Sequence, residues 1–144
     1  MTALADFLLA RIAEDEASAR TCAEMFPTPW EVSDRGWRVR IYASGVPVQD
    51  LIVDDDGTTA TRNPVVIEVE PDQHITDPRW LADRVDHIRR HNPAHVLAEC
   101  EAKRRIVEHV EPDPLTLSPG DEYVLRLLAQ VYADRADHDP SWAL

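Results

Sequence analysis

The chain of 144 residues is poor in glycine, with four, in cysteine, with two, and in aromatic side chains, at 6%. Gly36, Gly45, Gly57 and Gly120 stand apart from one another, so no glycine-rich loop is present to cradle a phosphate or a dinucleotide. Cys22 and Cys100 lie 78 positions apart, which excludes a disulfide-rich scaffold and a Cys-x-x-Cys metal knuckle. There is no Gly-x-Ser-x-Gly nucleophile elbow. No run of about 18 apolar residues occurs, so no membrane span is expected. The opening stretch MTALADFLLARIAEDE carries acid where a secretory signal has a basic segment and a small-residue cleavage site, so a cytoplasmic protein is expected.

Hydrophobic residues at 44% and charged residues at 29% are globular proportions, and the length is that of a single domain, 1–144, with 136–144 as a C-terminal tail. The net charge is −12, unevenly spread: residues 1–78 carry −9, residues 79–105 carry +3 and residues 106–144 carry −6. Overall acidity disfavours direct nucleic-acid or anionic-membrane binding. It keeps a small protein soluble, and it also admits an acidic nucleic-acid mimic.

Local signals outline the elements. Residues 3–25 form a helix, with Thr2 as its cap and Leu4, Leu8, Ile12, Ala19, Cys22 and Phe26 at helical spacing. Pro27 and Pro29 end it, because proline blocks the hydrogen-bond ladder and restricts its predecessor. Alternation of Trp37, Val39 and Ile41 with Arg38, Arg40 and Tyr42 predicts a strand, followed by strands over 46–53 and 65–69, with a short first one over 30–33. Asp54-Asp55-Asp56-Gly57 is turn chemistry; an EF-hand frame on Gly57 would put Ile52 and Asn63 where acids are required. Asp77-Pro78, Asn92-Pro93 and Ser118-Pro119 each pair a capping residue with a first-turn proline, and they start helices over 78–91, 93–110 and 119–134. The expected fold class is α+β: an N-terminal helix, an antiparallel β meander of three to four strands, then three C-terminal helices.

Few residues offer chemistry. His87 and His91 share a helix face with Asp83, and a His-x3-His pair projects two imidazoles the same way, as metal binding requires. A third ligand would have to come from elsewhere, with Asp15, Glu14 and Glu99 as candidates. The same three residues also suit a solvated pair of Asp83 and His87, with His91 favourably placed at a helix end. Cys22 and Cys100 lie on apolar faces without an adjacent base, the setting of small core residues. Lys103-Arg104-Arg105, with Arg89 and Arg90, form a basic patch without interleaved aromatics, so base stacking is not expected, and pairing with Glu99 and Glu101 is.

Two charges stand out on helical wheels. Asp15 falls within the stripe of Leu4, Leu8, Ile12, Ala19 and Cys22, and Arg104 within that of Val96, Leu97, Cys100 and Val107. A charge on a buried face must be paired or functional, so Asp15 and Arg104 are expected to form a buried ion pair, or each to find another partner.

The run His87-Ile88-Arg89-Arg90-His91-Asn92-Pro93-Ala94, continued by Val96-Leu97, Glu99 and Glu101-Ala102-Lys103-Arg104-Arg105-Ile106, resembles a family of small actinobacterial and actinophage proteins. Phe7-Leu8, Glu14-Asp15-Glu16, Pro29-Trp30, Leu125 to Ala129, Tyr132-Ala133-Asp134 and Trp142 extend the resemblance over most of the chain. It departs at Asn92, where an acid is more usual, and at Gln130-Val131. The family has no assigned activity and brings no catalytic residue with it. The expected function is a non-enzymatic protein-interaction or regulatory module with a protein partner and no cofactor, with self-association left open. The alternatives are a metal-binding protein or metal-dependent hydrolase using His87 and His91, and an acidic nucleic-acid mimic.

Overall fold

The structure, a computed structural model, describes residues 2–34, 39–43, 50–53, 59–62, 65–69, 78–110 and 117–144. Helix α1 spans Ala3–Met25. Strands β1 (Trp30–Asp34), β2 (Val39–Ala43), β3 (Asp50–Val53), β4 (Thr59–Arg62) and β5 (Val65–Val69) follow. Helices α2 (Pro78–Arg90), α3 (Pro93–Val110) and α4 (Pro119–Ala129) complete the main elements, with 3₁₀ turns at Gln130–Tyr132 and Pro140–Trp142.

This arrangement corrects the expected α+β meander. The described residues are mostly helical, with helices of 23, 13, 18 and 11 residues against strands of four or five. Nor do the strands follow one another in space. The order β1-β2-β5 makes one small antiparallel sheet, while among the described residues β3 and β4 pair only with each other, as a separate ribbon. β5 pairs along β2, with Ile41 opposite Ile67 and a register shift before Tyr42 meets Val65. Alternation shows that a segment is extended but not which neighbour it takes, and this is where the local reading went wrong. β4, Thr-Ala-Thr-Arg, went unnoticed because it has no large apolar residue to mark a face. The parts of the predicted strands at 37–38 and 46–49, the turn at Asp54–Gly57 and the cap at Asp77 lie outside the described residues.

Helix starts follow their caps. Thr2 Oγ1 accepts from the Ala5 N–H at 3.3 Å. Ser118 Oγ accepts from the Asp121 N–H at 3.1 Å, and Asp121 Oδ2 takes the Ser118 N–H in return, a capping box with Pro119 in the first turn. Asn92 serves two helices. Its Oδ1 accepts from the His95 N–H at 3.1 Å, capping α3, and its Nδ2 donates to the Arg89 carbonyl at 3.0 Å, satisfying an end of α2. The helix expected over 119–134 stops as an α-helix at Ala129. The chain tightens into the 3₁₀ turn, and Gln130 Nε2 donates to the carbonyls of Arg126 at 3.2 Å and Trp142 at 3.1 Å. That turn carries Tyr132 onto the core.

The chain divides into two compact units, Met1–Ser18 with Val96–Leu144, and Ala19–His95. In the first, Leu4, Phe7, Leu8 and Ile12 of α1 pack with Cys100 and Val107 of α3, Leu125 and Ala129 of α4, and Tyr132. Each fully buried aliphatic side chain here contributes about 1.5–3 kcal/mol. Trp142 joins this core through Phe7, their rings 5.0 Å apart. In the second unit, α2 lies on β1 and β2, and Val85 packs with Trp30, Ile41 and Ala43. The Trp30 indole donates to the Phe26 carbonyl at 2.9 Å.

The double role of Asn92 sets a testable expectation. Asn92→Ala should destabilise the protein by about 1–2 kcal/mol in chemical denaturation, at the upper end of an ordinary cap. Asn92→Asp, which keeps the acceptor and loses only the donor, should cost clearly less; equal losses would remove the cap from the account.

Candidate functional site

Two carboxylates late in α1 face the partners that α3 and the chain after α4 supply. Neither Asp15 nor Arg104 pairs with the other, which corrects the direct ion pair expected from their stripes. Asp15 Oδ2 accepts from the Tyr132 hydroxyl at 2.8 Å. Arg104 Nη2 reaches Glu16 Oε2 at 2.7 Å, with side chains 29% and 22% exposed. The reason is reach. A guanidinium on a long stem can pass the stripe to the neighbouring carboxylate at the margin of the core, at a lower desolvation cost than a fully buried pair. Asp15 is then free to take the one hydroxyl that the 3₁₀ turn brings in. Lys103 Nζ stands 5.9 Å from the centre of the Tyr132 ring, a cation–π placement.

This seam holds its protons tightly. Burial first, then the hydrogen bond to Asp15, pushes the Tyr132 phenol well above its ordinary range. Burial, followed by the charge of Asp15, also raises the Cys100 thiol. A nucleophilic cysteine needs the opposite shift, so Cys100 acts as a small apolar core residue. Cys22 is half-buried against the second core and, like Cys100, is a free thiol.

The histidines form a ladder. The His87 and His91 rings lie 4.3 Å apart, and His95 continues the series with its ring edge 5.4 Å from His91. His91 Nδ1–H donates to the His87 carbonyl at 2.9 Å, tying one nitrogen to the backbone. All three rings are exposed, as is Asp83. Among the described residues no group of three His, Cys, Asp or Glu side chains is arranged to hold a metal. Of the proposed additional ligands, Glu14 pairs with Arg11 at 2.8 Å, Asp15 is taken by Tyr132, and Glu99 is exposed.

Local carboxylates occupy the basic residues. Arg89 and Arg90 both reach Asp86 at 2.6 Å, and the hydrogen bond from Arg89 does most to hold that carboxyl below its usual range. Arg105 pairs with Glu101 at 2.7 Å.

The exposed surface of α4 was not anticipated. Leu125 and Ala129 point into the core, yet on the opposite side of α4 Tyr123 and Leu127 are 54% and 45% exposed, with Val124 beside them, and Val131 in the following 3₁₀ turn is exposed too. Tyr123 and Leu127, four residues apart, lie one above the other along the helix. Placing 119–131 on a helical wheel would have shown both apolar faces. The neighbouring Arg126 is engaged by Glu122, 2.7 Å away.

The chain belongs to the Family of unknown function (DUF6221), whose model matches residues 1–144. No curated protein and no solved structure matches it. No helix among the described residues is long and apolar enough to cross a membrane.

Two outcomes test the seam. In double-mutant cycles, Glu16→Gln with Arg104→Met should show a coupling energy on the order of 1 kcal/mol, between exposed and buried pairs, while Asp15→Asn with Arg104→Met should be additive within about 0.5 kcal/mol. Tyr132 should also set an alkaline limit. Its phenol is raised in the folded state, so its contribution is complete below the unfolded value of about 10 and is lost as pH rises above it. Ultraviolet titration should show a late tyrosine ionisation, and Tyr132→Phe should remove that step.

Proposed function

We propose that this protein is a non-enzymatic protein-interaction or regulatory module of the cytoplasm, and that the outer face of α4 is its working surface. One observation carries this reading: α4 buries Leu125 and Ala129 on one side, and on the other Tyr123 and Leu127 are exposed among the described residues. Large apolar side chains grouped on the solvent side of a helix are a feature of surfaces that meet a partner. The chemistry of the seam supports the same view, because Tyr132 and Cys100 hold their protons and are engaged in packing rather than poised for transfer. The acidic surface favours a protein partner over nucleic acid.

The test uses the full chain as bait in an actinobacterial lysate, the setting that the motif resemblance suggests, beside a Leu127→Asp bait. Because Leu127 is exposed, this variant should keep the wild-type thermal midpoint to within a few degrees. A protein retained by the wild-type chain and lost with Leu127→Asp is the expected result. Identical retention by both baits would dismiss α4 as the working surface.

A further inference from the structure

We infer that His87 and His91 form a two-histidine chelate at the C-terminal end of α2, for a divalent metal ion of the nickel, copper and zinc group. Orientation comes first. The His87 carbonyl accepts both the His91 backbone N–H at 3.1 Å and His91 Nδ1–H at 2.9 Å. A carbonyl oxygen can only accept, so Nδ1 carries the proton and Nε2 carries the lone pair of the neutral ring. Metal-ligating histidines are held in this way, with the nitrogen away from the metal donating to a backbone carbonyl or a carboxylate. His95 braces the same ring. The Asn92 cap brings it across the junction with α3, and its ring stands 5.4 Å from His91 at an interplanar angle of 82°.

Spacing selects the metal. The ring centres of His87 and His91 are 4.3 Å apart. A ring nitrogen lies about 1.1 Å from its ring centre and about 2.0–2.1 Å from a bound metal, so each centre stands about 3.2 Å from the ion. Two such ligands at a right angle put their centres about 4.5 Å apart, and at the tetrahedral angle about 5.2 Å. The observed spacing is closest to the right angle of tetragonal copper(II) and nickel(II) sites. Both rings are exposed, so water can fill the other coordination positions. The surrounding charge admits a cation. Arg89 and Arg90 are both held by Asp86 at 2.6 Å, and Asp83 occupies the same helix face one turn before His87. The C-terminal end of a helix also carries the negative end of its dipole.

The test titrates copper(II), nickel(II), zinc(II) and magnesium separately into the full chain, prepared without an affinity tag, by calorimetry. Electron paramagnetic resonance is recorded on the copper form. The expected result is one equivalent of copper(II), bound more tightly than nickel(II) or zinc(II), with splitting from two imidazole nitrogens and no binding of magnesium. Copper(II) should also raise the thermal midpoint of the wild-type chain. His87→Ala and His91→Ala should each weaken copper(II) by about tenfold or more, at least as much as loss of a supporting residue around a metal site. His109→Ala, on α3, should leave it unchanged. These histidines are exposed, so the variants should keep the metal-free thermal midpoint to within a few degrees. No saturable binding by the wild-type chain, binding undiminished in both His87→Ala and His91→Ala, or equal binding of magnesium would overturn the inference. Loss in His91→Ala and His95→Ala with retention in His87→Ala would put the metal on a different pair and overturn it as well.

Discussion

Asp15 and Glu16 sit late in α1, beside the stripe of Leu4, Leu8 and Ile12 that builds the core of the first unit. A carboxylate in that position is tolerated only with a partner, and two different elements supply one each. The Tyr132 hydroxyl reaches Asp15 at 2.8 Å, and the Arg104 guanidinium reaches Glu16 at 2.7 Å. Tyr132 gets there because α4 gives way to a 3₁₀ turn after Ala129, and Gln130 anchors that turn to the carbonyl of Trp142. The polar requirement of α1 thus extends to the winding of the chain after α4 and to the seating of the last residues, where Trp142 packs against Phe7 with its ring tilted by 47°.

The same economy limits chemistry. A charge already committed to a structural partner is not available to activate water or hold a metal. Asp15 is committed to Tyr132, Glu14 to Arg11, Asp86 to two arginines and Arg105 to Glu101. The histidine ladder at the α2–α3 junction owes its geometry to Asn92, which bonds the end of one helix and caps the next, bringing His95 beside His91 across a proline that forbids a continuous helix. Among the described residues, Tyr123 and Leu127 of α4 face outward while Leu125 and Ala129 on the other side of the same helix are buried.

The sequence by itself determined where helices begin. Asn92-Pro93 and Ser118-Pro119 mark their starts through side-chain acceptors and a proline that loses nothing in the first turn, and these effects act within four residues. It also determined that α1 would carry an acid on its apolar stripe, because that follows from angular position alone. Tertiary structure decided the partners. Asp15 could meet Arg104, Tyr132 or solvent as far as local spacing is concerned, and the choice fell to a 3₁₀ turn 117 positions away. β5 pairs with β2 and not with β4, and Tyr123 and Leu127 of α4 stay exposed among the described residues, because strand pairing and burial depend on which distant segments the fold brings to a free edge or face.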